Sequence, residues 1–482
     1  MSELKNYDTA KEIPPELKKN HLVGLIPEQN ITIIDKFNLE TGVTIHNVPI
    51  AWKTFGKLNE TADNVMVICH ALTGSADVED WWGPLIGPNL AFDTTKFFIF
   101  CANVLGSPYG SASPLTINSE TGEQYGPEFP LVSVRDDVRL HRLILDSLGI
   151  KSVAICIGGS MGGMQVLEWA KQGDYVKNIV PIATSGRHSA WGISWGEAQR
   201  QSIYSDPFYG CHKLTNTVSL ADGYYTEQSK PNVGLAAARM SALLTYRSRN
   251  SFESRFGRNA AGGRYKDNIV RPGSPREANV MMHNDGHKSS SGTRSSHAES
   301  KKSTTETSTN ETSSNGTTHT TINDPPIPTP FVFSAQSYLR YQGDKFINRF
   351  DANCYIALTR KMDTHDLGRG RGVYEEVLAD IKQNALVIGI ESDGLFTISE
   401  QYELAEFIPN SEMVVIQSPD GHDGFLLEFD QINKNILRFI QRVLPEIYEN
   451  SLVSEKEVEE QETLKATKTS LFGEAEVDIT QW

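Results

Sequence analysis

Ser160 lies in the stretch CIGGSMGGMQ, where four glycines surround a single hydroxyl. Gly158-Gly159-Ser160-Met161-Gly162 satisfies the pattern G-x-S-x-G. The apolar run SVAICI precedes it and GMQVLEWAKQG, helical in pattern, follows it. That is the strand, sharp turn and helix of a nucleophile elbow, in which small neighbours leave room for a crowded serine and the turn lifts its hydroxyl toward a helix N-terminus. The pentapeptide alone would equally suit a turn that reverses the chain or binds phosphate.

A serine hydroxyl attacks only when a base takes its proton, and the base must be held by a carboxylate. Downstream, ALVIGI runs into ESDGLF and places Asp393 just past a strand; EMVVIQ runs into SPDGHDGF and places His422 in the next loop. Taken singly, Asp393 is an Asp-Gly turn and His422 a surface histidine. In the order Ser, Asp, His, each on a loop after a strand, they have the arrangement of an α/β-hydrolase triad. The two N–H donors of an oxyanion hole would come from Met161, directly after the nucleophile, and from the loop HALTGS, at Leu72.

The elements that must hold these residues alternate along the chain. NVMVIC, FFIFCA, SVAICI, NIVPIA, ALVIGI and EMVVIQ are short β-branched runs of the kind buried in a parallel sheet. Between the second and third, Val134, Val138, His141, Leu145 and Leu148 share one helical face, and Gly149 supplies a stop. The expected architecture is therefore α/β, a mostly parallel doubly wound sheet. Residues 187–255 read as helices without strands, a helical lid inserted before the last strands.

Composition excludes several alternatives. With 482 residues, a net charge of -15 and no basic stripe, the chain is unsuited to nucleic acid. No apolar run reaches the roughly 20 residues needed to span a bilayer. The N-terminus lacks the apolar centre of a secretory signal, and Cys69, Cys101, Cys156, Cys211 and Cys354 contain no CxxC pair. These features point to buried thiols in a reducing, cytoplasmic setting with no metal site. Residues 258–330 are almost free of large apolar side chains over much of their length and are expected to be a disordered insertion; the NxT sequons at Asn310 and Asn315 fall within it.

The stretches ICHALTGSADVEDWW, GPNLAFDTTKFFIFCANVLGSPYGSASPLTIN, YGPEFPLVSVRDDVRLH, GGSMGGMQVLEWA, IATSGRHSAWGISWGEAQRQSI and GHDGFLLE together resemble the homoserine O-acetyltransferase family in its fungal form. The resemblance spans roughly 44–255 and 331–445. It implies Ser160 as nucleophile, His422 as base and acid, and Asp393 as its orienter, in agreement with the reading above. It further implies that Arg239, in AARMSA, and Asp423 hold the carboxylate and ammonium of L-homoserine. Acetyl-CoA would be a co-substrate, with no permanently bound cofactor, and a homodimer would form through the lid. The expected division is an extension over 1–43, core over 44–186 and 361–447, lid over 187–360 and an acidic tail over 448–482. Serine as acceptor, succinyl-CoA as donor, an esterase or thioesterase, and a non-catalytic binding protein are the competing readings.

Overall fold

The computed structural model describes residues 4–210, 222–259, 273–287 and 332–449. Nine strands form one sheet: β1 Leu4–Asp8, β2 Asn30–Asn38, β3 Thr44–Phe55, β4 Val65–Cys69, β5 Phe98–Ala102, β6 Val153–Gly159, β7 Asn178–Ile182, β8 Asn384–Ile390 and β9 Ser411–Ile416. Their order is β1-β2-β3-β5-β4-β6-β7-β8-β9, antiparallel up to the β3–β5 pair and parallel from β5 onward.

The parallel strands β4 to β9 are the six apolar runs of the sequence, matched within two residues at every end. β4, β6 and β7 are buried along their whole length, as strands covered by helices on both faces must be, while the edge strand β9 is half-buried. The segment set apart as an N-terminal extension is instead continuous with the sheet. β2 and β3 form a hairpin closed by Leu39–Val43, with Gly42 at a φ of +86°, and β1 adds the outer strand. In β1 and β2 polar residues interrupt the apolar ones, so no continuous apolar run announces them, whereas β3 carries the run VPIAW, buried from Val48 to Trp52.

Helices cover both faces. α1, Val134–Ser147, buries the predicted face and starts at a capping box in which the Ser133 hydroxyl accepts from Asp136 N–H while the Asp136 carboxylate accepts from Ser133 N–H. Gly149, at φ +77°, lies just beyond its end. α2, Met161–Ala170, is entirely buried behind Ser160. Between β7 and β8 lie α3 Ala190–Tyr204, α4 Asn232–Tyr246, α5 Arg249–Arg255, α6 Ser334–Phe346 and α7 Ala352–Asp363, with no strand among the described residues. After β8 come α8 Ile398–Phe407 and α9 Phe429–Val443. An apolar cluster of Met161, Met164, Ile203, Leu235, Phe346 and Tyr355, with other buried residues, joins this helical excursion to the end of the sheet that carries Ser160.

Part of the segment expected to be disordered is helical. Ser274 caps a helix over Pro275–His283, Pro275 occupies its first turn, and Ala278 is buried. Arg340 of α6 holds Asp285 through two contacts, at 2.7 and 3.2 Å. The local sequence SPREANVMMH differs from the Ser/Thr tract beyond it: it carries an N-cap and Pro275 at the helix start, and Ala278 packs inward, although Val280 and Met282 stay exposed. The remainder of the insertion, at 260–272 and 288–330, Cys211, and all but the first two residues of the acidic tail lie outside the described residues.

Candidate active site

Ser160 occupies the turn between β6 and α2 at φ +58° and ψ -125°, a region an L-residue enters only when its surroundings force it. Its N–H donates to Ile182 and its carbonyl accepts from the Thr184 hydroxyl at 2.8 Å. The flanking glycines are required by contact. A Cβ on Gly162 would lie 2.1 Å from the Cys69 carbonyl oxygen, and one on Gly159 would lie 2.5 Å from the Phe425 ring.

His422 projects from a short turn, Gly421–Asp423, after β9. Its Nδ1 is 2.6 Å from Asp393 Oδ2, while Asp393 Oδ1 accepts the N–H groups of Leu395 and Phe396 at 2.8 and 3.0 Å. With Nδ1–H donated to the carboxylate, the neutral ring presents Nε2 as a base. Phe396 stacks on the imidazole at 5.2 Å and Phe425 meets it edge-on at 5.2 Å. Burial opposes charging of this histidine. Asp393, first by charge and then by hydrogen bond, outweighs burial, and Asp423 and Glu400 add to it, so the imidazole is raised above its ordinary value.

Ser160, 5% exposed, and His422, 4% exposed, line the same cavity of about 760 Å³, counting its mouth. Leu72 lines it too, and Met161, the first residue of α2, follows the serine directly. The Leu72 loop is pinned at several points. The His70 ring meets Ala71 O at 2.8 Å and accepts from Val104 N–H at 3.2 Å, and the Gln165 amide donates to His70 O at 3.3 Å.

Arg239, on α4, reaches the cavity although only 2% exposed; its guanidinium carbon lies 5.0 Å from the Phe346 ring centre. Asp423 lines the cavity as well, and its Oδ2 is engaged at 2.7 Å by Arg247 Nε. Every residue singled out in the sequence thus lines the cavity or adjoins a residue that does. Four residues had not been singled out. Arg247 and Asp420 anchor the histidine loop. His188 lines the cavity and is kept neutral by burial, with its pKa pushed down to about 4. Glu400, on α8, is pushed up to about 7, chiefly by burial. Asp420 is visible as the acid two places before the histidine in SPDGHDGF, but no local signal distinguishes Arg247, His188 or Glu400.

Cys69, Cys101, Cys156 and Cys354 are buried free thiols. Among the described residues no group of His, Cys, Asp and Glu could hold a metal ion, and no helix is long and apolar enough to cross a membrane.

A nucleophile elbow after β6, an Asp–His pair just past the ends of β8 and β9 and a mostly parallel sheet define an α/β-hydrolase-fold protein, and residues 64–276 match the family model described as alpha/beta hydrolase fold. A homoserine O-acetyltransferase of Bacillus anthracis has a similar fold, with a TM-score of 0.66 at 20% identity, covering 89% of this chain and 99% of that one. Whole-chain similarity is more specific. The chain is 53% identical to the homoserine O-acetyltransferase of Saccharomyces cerevisiae, with 100% of both chains covered, and 51% identical to that of Ascobolus immersus, with 99% of this chain and 98% of the relative covered. The chain belongs to the homoserine O-acetyltransferase family.

Proposed function

We propose that the protein transfers the acetyl group of acetyl-CoA to the hydroxyl of L-homoserine through an acetylated Ser160, a step of methionine biosynthesis. The observation that carries this reading is one cavity, lined by Ser160, His422, Leu72, Arg239 and Asp423, with His422 held by Asp393. Family membership supplies the acetyl donor and the acceptor.

In the first half-reaction the Ser160 hydroxyl gives its proton to His422 Nε2 as its oxygen bonds to the thioester carbon. The N–H groups of Leu72 and Met161 receive the developing oxyanion. Collapse breaks the carbon–sulfur bond, and His422 returns the proton to the departing thiolate. In the second half-reaction His422 takes the proton of the homoserine hydroxyl, the new ester oxygen bonds to the acetyl carbon, and Ser160 leaves with the proton restored. Arg239 suits the acceptor's carboxylate and Asp423 its ammonium. Transfer outcompetes hydrolysis only when the acetyl-serine is kept from water, and the helices between β7 and β8 act as the lid.

A homodimer formed through that lid and a cytoplasmic location belong to the same reading. The division into a two-part core, a lid and an acidic tail does too, with β1 and β2 now counted in the core. The decisive experiment is intact-protein mass spectrometry with acetyl-CoA and no acceptor. The wild type should gain one acetyl group, located on Ser160, and lose it on addition of homoserine; an unmodified wild type, or a Ser160→Ala variant with wild-type transfer, would overturn the mechanism.

A further inference from the structure

The loop that carries His422 is fastened to the helical insertion more heavily than a surface loop requires. Asp420, two residues before the histidine, accepts from Arg247 at 3.0 Å, Arg255 at 2.7 Å and the Ser251 hydroxyl at 2.6 Å, all on one carboxylate oxygen. Arg247 extends its Nε to Asp423, the residue after the histidine, at 2.7 Å. One guanidinium thus holds the acids on both sides of His422. Between them Gly421 adopts φ +70° and packs so closely that a Cβ there would lie 2.6 Å from the Ser248 nitrogen. The Ser248 hydroxyl donates to the Pro419 carbonyl. On the core side Ser392, one residue before Asp393, accepts Gly421 N–H at 2.9 Å and donates to Ser418 O at 2.6 Å.

We propose that Arg247 is a positioning residue that couples the helical insertion to the catalytic loop, aiming His422 through Asp420 and setting the acceptor-binding carboxylate of Asp423. This rests on the acetyl-transfer reading and adds to it a residue outside the triad that serves both half-reactions. Arginine suits the task because its fork offers separate nitrogens to two carboxylates, whereas lysine offers one point charge. The ends of the bridge are fixed: Arg247, Asp420 and Asp423 are all buried. Burial works against charge on Asp420, but Ser251, Arg247 and Arg255 hold its carboxyl below the usual range. Arg247, despite its own burial, is held charged by Asp423 and Asp420.

The two prongs predict separable effects. Asp423 raises the proton affinity of His422, together with Asp393 and Glu400. Removing the cation beside Asp423 strengthens that effect, so in Arg247→Met the acidic limb of the acetylation rate moves to higher pH. Losing the hold on Asp423 raises KM for homoserine by about tenfold to a hundredfold, the worth of a charge-assisted hydrogen bond, while KM for acetyl-CoA changes little. Asp420→Asn leaves the Arg247–Asp423 contact in place and loosens the loop itself, so kcat falls while KM for homoserine changes less. Arg247→Lys should lie between Arg247→Met and the wild type.

The test compares full-length wild type with R247M, R247K and D420N, measuring both KM values, kcat and the pH dependence of Ser160 acetylation. A KM rise confined to homoserine in R247M, an upward-shifted limb and partial rescue by R247K are the expected results. Equal losses in all parameters with an unmoved limb would mark a merely structural residue and overturn the inference. If R247M does not fold, R247K and D420N still decide it through the contrast between KM and kcat. A wild type that gives no homoserine-dependent thiol release would instead overturn the acetyl-transfer reading itself.

Discussion

Asp393→Asn tests the catalytic geometry with the smallest change in shape. Asp393 Oδ1 accepts two backbone N–H groups, from Leu395 and Phe396, and Oδ2 faces His422 Nδ1. In an asparagine the carbonyl oxygen must stay on the two backbone donors, because turning it over would set an NH₂ group against both. The NH₂ therefore faces Nδ1, which can then only accept, and the ring proton moves to Nε2, where it blocks the base. A triad histidine trapped in the wrong tautomer loses about 10⁴-fold in kcat, or roughly 5.5 kcal/mol of barrier. Folding should change far less, since the side-chain volume and the two backbone hydrogen bonds survive. The assay is thiol release from acetyl-CoA with saturating homoserine, alongside a thermal melt. A folded D393N within about tenfold of wild type would refute the tautomer argument, since the expected loss is a thousand times larger.

Other consequences follow from the same contacts. His422 must be neutral to act, and Asp393 outweighs burial in raising its proton affinity, so acetylation should increase with pH through a midpoint above the ordinary 6.5; a midpoint at or below that value in pre-steady-state acetylation would contradict the balance of charges. Arg239→Gln should raise KM for homoserine by about tenfold to a hundredfold, the worth of a buried charge-assisted hydrogen bond, and leave KM for acetyl-CoA nearly unchanged; equal changes in both would remove Arg239 from the acceptor site. Lys361 is buried with its Nζ 2.6 Å from Asp137 and 2.7 Å from Leu105 O. Lys361→Met should therefore cost about 3–5 kcal/mol in urea unfolding by leaving Asp137 uncompensated. Adding Asp137→Asn, which keeps an acceptor for Leu105 N–H, should restore part of that loss, and a double variant no more stable than the single one would refute this.

Much of the site was legible because its chemistry is local. Ser160, Asp393 and His422 each follow a continuous apolar run, and those runs became β6, β8 and β9. A buried parallel strand such as β6 or β8 writes itself into sequence as an unbroken apolar stretch, and even the half-buried β9 keeps the apolar run MVVI, so the triad sits where such stretches end. β1 and β2 were hidden because polar residues interrupt their apolar ones and their partners are set by a hairpin and an edge; β3 carries the buried apolar run VPIAW, but Pro49 inside it argues against a strand when the sequence is read alone. The helix over Pro275–His283 was obscured by its polar surroundings, although Ser274 and Pro275 mark its start. Arg247 was invisible for another reason. Its role depends on Asp420 and Asp423, more than 170 positions away, and only the fold shows that α4 ends against the histidine loop.

The most direct test of the central claim is thiol release from acetyl-CoA by the purified protein, run in parallel with L-homoserine, with L-serine and without acceptor. Rapid release with homoserine alone, accompanied by stoichiometric O-acetylhomoserine, is the predicted result. Equal release without acceptor would mean a thioesterase, release driven by serine would change the acceptor, and no release in any arm would contradict acetyl transfer altogether.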